Sequence, residues 1–237
     1  MGSAGTIFGS KKFSRRLSSI ALTFLTAYLC ASAISPAVQA CPCNEIKAPA
    51  VAPKDDEKAG LAYSKTAEYR KEFDKAIKDA KAACTPHIGE QYVAIVSDID
   101  ETLLDNRGFF ESHPEFKWSD FFGYIAEAKA PTLKKTADFL AWARKNGFAI
   151  FLVTGRSEKD RPGTILNLVR QGVAFDGLYM RPNGDRSKAA EMKTKHRKAI
   201  QDMGFQIVVN IGDQFSDLEG GLSVDCEKLP NKMYYVP

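Results

Sequence analysis

The sequence predicts an α/β fold, a Rossmann-like parallel sheet with helices on both faces and a small helical cap insertion. Three observations predict it. Apolar, β-branched runs at 92–97, 148–153 and 206–211 read as buried strands. Segments with helical spacing of apolar residues separate them, and that alternation argues a parallel sheet covered on both sides. Each run ends in a polar, glycine-containing or acidic loop: Asp98–Thr102, Thr154–Arg156 and Gly212–Asp217. In open parallel sheets, ligands bind outside the carboxyl ends of the strands.

The first 40 residues have a different purpose. Lys11, Lys12, Arg15 and Arg16 precede a mostly apolar stretch, Leu17–Ile34, and Val38-Gln39-Ala40 resembles a small-residue cleavage site. That is the layout of an export signal. A retained membrane anchor is the competing reading, weakened by the serines and Pro36 within the stretch. The pair Arg15-Arg16 gives only a weak twin-arginine hint. Val38-Gln39-Ala40-Cys41 resembles the lipobox of bacterial lipoproteins, which makes Cys41 a lipidation candidate. The chain has 33 basic and 29 acidic residues; the signal carries four basic and no acidic ones, so 29 of each remain. The basic balance belongs to the signal and gives no reason to expect a nucleic-acid polymer as partner. Five cysteines are present. In an oxidising compartment Cys84–Cys226 is a candidate disulfide, a pairing that sequence cannot fix.

Residues 41–58, rich in proline, alanine and charge, read as a flexible tether, and the folded domain is expected over 59–237. Leu61–Cys84 has the spacing of one amphipathic helix with Tyr69, Phe73, Ala76, Ile77 and Ala80 on its buried stripe. Tyr92–Ser97 then forms the first strand. Asp98, Asp100 and Glu101 follow at once, and so much unpaired charge must lie past the strand's end. A cap insertion is expected at about 105–130, where Phe109, Phe110, Phe116, Trp118, Phe121, Phe122 and Tyr124 cluster with poor periodicity. A helix opens at Pro131 and stops before Gly147. After the second strand come a helix over 162–171, a short strand at 178–180, a helix over 186–203 and the strand 206–211.

On one sheet edge, Asp98, Asp100, Asp213 and Asp217 would repel one another unless a cation lay between them. Oxygen ligands without Cys or His favour Mg²⁺ over zinc. Thr154 and the neighbouring amides offer hydrogen-bond donors, and a lysine from the 186–203 helix adds a positive charge. Together these suit a phosphoryl group. Two residues of separation along an extended segment put the side chains of Asp98 and Asp100 on the same side of the chain.

On these residues the chain resembles the haloacid dehalogenase superfamily of phosphohydrolases. It is similar in particular to the class B-type acid phosphatases, a subgroup that includes bacterial lipoprotein acid phosphatases and plant vegetative storage proteins. The motifs are Asp98-Ile99-Asp100-Glu101-Thr102, Thr154 in Val153-Thr154-Gly155-Arg156, Lys193 in Met192-Lys193-Thr194, and Gly212-Asp213-Gln214-Phe215-Ser216-Asp217. Lys188 is the fallback for the lysine. The resemblance implies that Asp98 is a nucleophile forming an aspartyl-phosphate. It makes Asp100 the acid that protonates the leaving oxygen and then the base that activates water, a role that requires its pKa to be raised in the complex. Mg²⁺ would be bound by Asp98, the Asp100 carbonyl and Asp213, with Asp217 ligating directly or through water. Thr154 and Lys193 would hold the phosphoryl oxygens.

The implied substrate is a small phosphomonoester, with nucleoside monophosphates or aryl phosphates favoured if aromatic rings stack on it. Phe109, Phe110, Trp118, Tyr234 and Tyr235 are the candidates, and Arg156 is placed to orient the loop or the substrate. His87, His113 and His196 lack a partner pattern, which disfavours a histidine phosphatase. The alternatives are phosphotransfer to an alcohol, or a storage or metal-binding surface protein without turnover. The expected setting is the bacterial periplasm or outer membrane, with a membrane contact through Cys41 if it is lipidated. A homo-oligomer is left open.

Overall fold

The computed structural model describes Cys43, Ile46, Ala48, Pro49 and residues 56–236. The expected export signal over 1–40, the lipidation candidate Cys41 and most of the expected tether lie outside the described residues. Five strands form one sheet: β1 (Val93–Ser97), β2 (Ala149–Ser157), β3 (Gly177–Arg181), β4 (Gln206–Gly212) and β5 (Asp225–Lys228). Their order is β3-β2-β1-β4-β5, and every pairing is parallel. The chain builds outward from β1 to β3 on one side, then crosses to β4 and β5 on the other. The topological switch point therefore lies between β1 and β4, where a crevice opens at the carboxyl ends.

The central strands are buried on both faces, as parallel strands between helices must be. Side-chain alternation divides them. Ile95, Ile150 and Leu152 join one core with Phe73 and Ala80 of α2 (Ala67–Cys84) and Phe139 and Leu140 of α5 (Lys134–Lys145). Ala94, Val96, Phe151 and Val153 join the other with Ile200 of α7 (Ala189–Asp202). A further helix, α6 (Arg161–Arg170), contributes Leu168 to the first core.

Several boundaries differ from expectation for local reasons. The stretch expected as one helix over 61–84 is two, α1 (Glu57–Ser64) and α2, because the Thr66 hydroxyl caps α2 by accepting from the Tyr69 N–H at 3.1 Å. The helix expected from Pro131 starts at Lys134, since residues 131–133 first hydrogen-bond to 103–105: Asp105 N–H donates to the Pro131 carbonyl and Leu133 N–H to that of Leu103. The edge strand β5 carries Asp-Cys-Glu-Lys, a charged sequence with no strand signature of its own. It forms because β4 offers a free edge.

The expected Cys84–Cys226 disulfide does not form. Cys226 is bonded to Cys43, with Cα atoms 5.5 Å apart, and Cys84 is a buried free thiol at the end of α2. The bond pins the segment expected as a flexible tether to the sheet edge, and Ala48 N–H adds a hydrogen bond to Glu219 Oε1 at 2.5 Å.

The insertion between β1 and α5 contains α3 (Arg107–Ser112) and α4 (Trp118–Glu127). Phe109, Phe110, Phe121 and Ile125 form a small core with Met233 from the C-terminal tail. Gly163 lets α6 approach this layer, since a Cβ there would meet the Ile125 carbonyl. Among the described residues, no helix is long and apolar enough to cross a membrane.

Candidate active site

Strands β1 and β4 end side by side, and each hands over to an acidic loop. Asp98 follows β1 directly; its N–H donates to the Ile211 carbonyl of β4 at 3.0 Å. The β1 loop then turns tightly, with Leu103 and Leu104 N–H both returning to the Ile99 carbonyl. Glu101 takes a left-handed backbone, φ 54°, costly for a residue with a side chain. Its buried carboxylate holds the turn by accepting from Asn106 N–H at 3.0 Å and from the Tyr234 hydroxyl. Burial first, then the nearby Asp100 and Asp213, pushes the Glu101 carboxyl well up.

Asp98, Asp213 and Asp217 are all buried, with one oxygen from each within 4.8 Å of the others. Gly212 makes the arrangement possible, because a Cβ at that position would collide with the Asp217 side chain. Lys193 comes up from α7 beneath the cluster. Its ammonium donates to Asp98 Oδ1 at 2.6 Å and also to Asp217 Oδ1. Burial pushes the Asp98 carboxyl well above its ordinary range, opposed by Lys193 and reinforced by Asp217 and Asp213. Asp213 is raised by burial and by Asp217. For Lys193, burial acts to lower the pKa, and the two carboxylates outweigh it and raise it. Three desolvated carboxylates around one lysine form an oxygen-only donor set with negative charge to spare, which fits a hard divalent cation.

The cluster is braced by residues to which the sequence assigned no role, two of them, Thr102 and Gln214, inside the motifs. Asp213 accepts from Thr102 Oγ1 at 3.0 Å, and from Gln214 Nε2 and Asn231 Nδ2 at 2.7 Å each. The Asp217 carbonyl accepts from Arg197 Nη1 at 2.5 Å and Asn210 Nδ2 at 2.9 Å. Arg197 lies one helical turn beyond Lys193, and that i, i+4 spacing was the available signal. Lys188, the fallback lysine, is exposed at the start of α7 and takes no part. The C-terminal tail folds back over the β4 loop: Val236 N–H donates to Gln214 Oε1 at 3.0 Å, and Ser216 Oγ to the Val236 carbonyl at 2.8 Å.

Thr154 is fully buried near the end of β2, its Oγ1 accepting from Arg156 N–H at 3.1 Å, and the residues that line the cleft here are its neighbours Gly155 and Arg156. Arg156 reaches across to Asp100. Its Nη2 lies 2.6 Å from Asp100 Oδ1, and its Nε 3.1 and 3.0 Å from Oδ1 and Oδ2. Asn106 Nδ2 donates to Oδ1 as well, at 2.8 Å. Burial acts to raise the Asp100 pKa, but Arg156 and Asn106 outweigh it and hold the carboxyl below its ordinary value. In the free protein the direction is thus opposite to the one expected for the complex. Asp100 also stands apart from the three-carboxylate cluster through its side chain.

Above the carboxylates opens a cleft of about 880 Å³, floored by Asp98, Asp100, Lys193, Asp213 and Asp217 and walled by aromatic rings. Phe110, Trp118, Tyr234 and Tyr235 line it, joined by Phe116, Phe121 and Phe122, which the sequence placed in the cap but did not name as substrate contacts. Trp118 is 64% exposed at the mouth and stacks on Phe122 at 5.8 Å between ring centroids. Phe109 does not line the cleft; it is a core residue stacked on His113 at 4.3 Å. Tyr234 has a structural part too, through its bond to Glu101. None of the histidines joins the site: His87 pairs with Glu90, His113 packs on Phe109, and half-buried His196 bonds to the Met180 carbonyl.

A parallel sheet with clustered carboxylates and a buried lysine at its switch point defines a phosphohydrolase-type site of the haloacid dehalogenase (HAD) superfamily. Within it, the family model for HAD superfamily subfamily IIIB (acid phosphatase) matches residues 22–237, and the chain belongs to that family. It is 35% identical over 177 residues to acid phosphatase 1 of Solanum lycopersicum, covering 71% of this chain and 69% of that protein. It is 29% identical over 152 residues to vegetative storage protein 1 of Arabidopsis thaliana, and spans 55% of that protein's length. The class C acid phosphatase from Bacillus anthracis shares the fold, with a TM-score of 0.62, 22% identity and coverage of 76% of this chain and 85% of that one. The chain is therefore an acid-phosphatase-type hydrolase, and Asp98, Asp213 and Asp217 are compatible with a divalent-metal site.

Proposed function

We propose that this protein is a Mg²⁺-dependent phosphomonoesterase working through an aspartyl-phosphate on Asp98. One observation carries the reading. The Asp98 carboxylate meets Lys193 at 2.6 Å on one side, shares a buried oxygen cluster with Asp213 and Asp217 on the other, and opens into the cleft. Asp98, Asp213, Asp217 and the Asp100 carbonyl would hold the ion, which when bound offsets charge between the anionic nucleophile and the anionic ester.

The residues then divide the work. An Asp98 oxygen attacks phosphorus while the ester oxygen departs with a proton from Asp100. Water next attacks the phosphoryl group, gives its proton to the Asp100 carboxylate, and releases phosphate and Asp98. Lys193 balances charge on Asp98 and the phosphoryl oxygens, and Thr154 donates its hydroxyl proton to them. The aromatic cleft wall favours esters with a flat leaving group, aryl phosphates or nucleoside monophosphates, over small alkyl phosphates. Trp118, Phe110 and Tyr235 are the rings we assign to that contact.

An exported protein fits this reading. Residues 1–40 have the pattern of a signal and Cys41 that of a lipidation site, and a Cys43–Cys226 bond suits an oxidising compartment. The deciding experiment measures hydrolysis of 4-nitrophenyl phosphate and a panel of nucleoside monophosphates. We expect turnover that is lost with chelator, restored by Mg²⁺, and absent in Asp98→Asn. Full activity in Asp98→Asn would refute the nucleophile.

A further inference from the structure

The reaction assigned above asks something of Asp100 that its sequence position alone does not provide. The carboxyl must present one particular oxygen to the departing ester oxygen. Asp100 lies two residues after Asp98, beside the left-handed Glu101, and its side chain is 19% exposed. What fixes its rotation is two donors from other parts of the fold, Arg156 and Asn106, with Arg156 held in turn by Thr164.

Arg156 is the centre of that set. Its side chain is 2% exposed, and three of its nitrogens are already engaged: Nε and Nη2 with Asp100, Nη1 with Thr164 Oγ1 at 3.2 Å. Thr164 is itself fully buried on α6. On the other side stands Asn106, also fully buried, with its Nδ2 on Asp100 Oδ1 and its Oδ1 without a partner. Reversing that amide would set a carbonyl oxygen against a carboxylate, so Asp100 itself dictates how Asn106 sits. The two oxygens of Asp100 are thereby made different. Oδ1 takes Arg156 Nη2 at 2.6 Å, Asn106 Nδ2 at 2.8 Å and a share of Arg156 Nε at 3.1 Å; among the described residues Oδ2 takes only Arg156 Nε at 3.0 Å.

We propose that Arg156, assisted by Asn106 and Thr164, is a positioning residue that clamps Asp100 through Oδ1 and leaves Oδ2 as the atom that passes the proton. Arg156 also lines the cleft, but all three of its side-chain nitrogens already have protein partners, and its part in the step is to hold Asp100. The proposal rests on the acid role of Asp100 given above. In the step it serves, the bond from Asp98 to phosphorus forms, the bond from phosphorus to the ester oxygen breaks, and the proton on Oδ2 goes to that oxygen, giving a neutral alcohol and an Asp100 carboxylate. In the second step the same Oδ2 receives a proton from the attacking water. A planar fork with two parallel N–H bonds is what arginine offers and lysine does not.

Leaving-group chemistry separates positioning from substrate binding. A 4-nitrophenolate departs readily without a proton, whereas a benzyl alkoxide does not, and the two esters are similar in size. We compare kcat/KM, which reports the first chemical step, for 4-nitrophenyl phosphate and benzyl phosphate in wild type, Asp100→Asn, Arg156→Lys, the double variant and Thr164→Val. Misplacing a general acid forfeits about 10²–10⁴-fold where a proton is needed. Arg156→Lys is expected to lose on the order of 100-fold with benzyl phosphate and less than about 5-fold with 4-nitrophenyl phosphate. Asp100→Asn should show the same selectivity, and the double variant should lose nothing further, because the residues act as one unit. Thr164→Val, a near-isosteric change that keeps Arg156, should show a smaller loss confined to benzyl phosphate, and it serves if Arg156→Lys fails to fold. A parallel loss for both esters in Arg156→Lys, with KM raised, would mean that Arg156 binds substrate and would overturn the proposal while the acid role stands. If Asp100→Asn is itself indifferent to the leaving group, the acid role is wrong and the positioning proposal falls with it.

Discussion

Replacing Lys193 by methionine tests the charge logic of the site. The side chain has similar length and keeps the packing of α7, so the perturbation is the loss of one positive charge. That charge lies 2.6 Å from Asp98 Oδ1 and also bonds to Asp217, and all three side chains are at most 7% exposed. Removing one partner of such a buried pair leaves the other uncompensated, at a cost of about 3–5 kcal/mol. For a domain of this size each kcal/mol moves Tm by about 2–4 °C, so a fall of roughly 10 °C is expected in chelator. Saturating Mg²⁺ should recover part of it, because a bound cation supplies charge to the same carboxylates. Turnover should fall by about 10²–10³-fold even in Mg²⁺, the scale of losing one preorganised charge contact at a reacting group. The assay is a pair of thermal melts, with EDTA and with Mg²⁺, beside hydrolysis of 4-nitrophenyl phosphate. Lys188→Met is the control, since Lys188 is exposed. Equal melts and equal turnover for Lys193→Met and Lys188→Met would refute the reasoning.

Three further outcomes follow from other contacts in the fold. The Cys43–Cys226 bond closes a loop of 183 residues; the chain-entropy estimate for such a loop is about 5 kcal/mol and typical disulfides contribute about 2–4, so Cys43→Ser/Cys226→Ser should melt on the order of 10 °C lower. Peptide mapping should link Cys43 to Cys226 and find Cys84 alkylated only after unfolding, because burial pushes that thiol up to about 12; a Cys84 cross-link would refute the pairing. Gly212→Ala should weaken Mg²⁺ binding by about 10–100-fold in calorimetry by displacing Asp217, and unchanged affinity would contradict the contact.

The strand-then-acid pattern at 92–102 was legible because it depends on neighbours in sequence. A buried strand cannot contain Asp98 and Asp100, so they had to emerge at the sheet's end, and the same logic applied to Asp213; the loop expected at 154–156 instead belongs to β2, which runs on to Ser157 with Thr154 inside it. The parallel sheet, its three central strands and its carboxylate edge follow from periodicities of that kind. Choosing Lys193 over Lys188 needed the motif's spacing, and the fold gives the reason: one faces the carboxylates and the other caps α7 in solvent.

Tertiary structure decided what distant segments do to one another. Strand β5 has no apolar pattern and exists because β4 has an edge to pair, which in turn brings Cys226 to Cys43 rather than to Cys84. Phe109 and Phe110 are adjacent and chemically identical, yet only Phe110 reaches the cleft, because successive positions on a helix point in different directions. Arg156 next to Thr154 gave no sign of its contact with Asp100, 56 residues earlier in the chain. By itself the sequence determined which chemical groups gather at the sheet edge, since burial forbids them elsewhere. How those groups are paired, rotated and braced was set by contacts between segments far apart in the chain, which local periodicity does not encode.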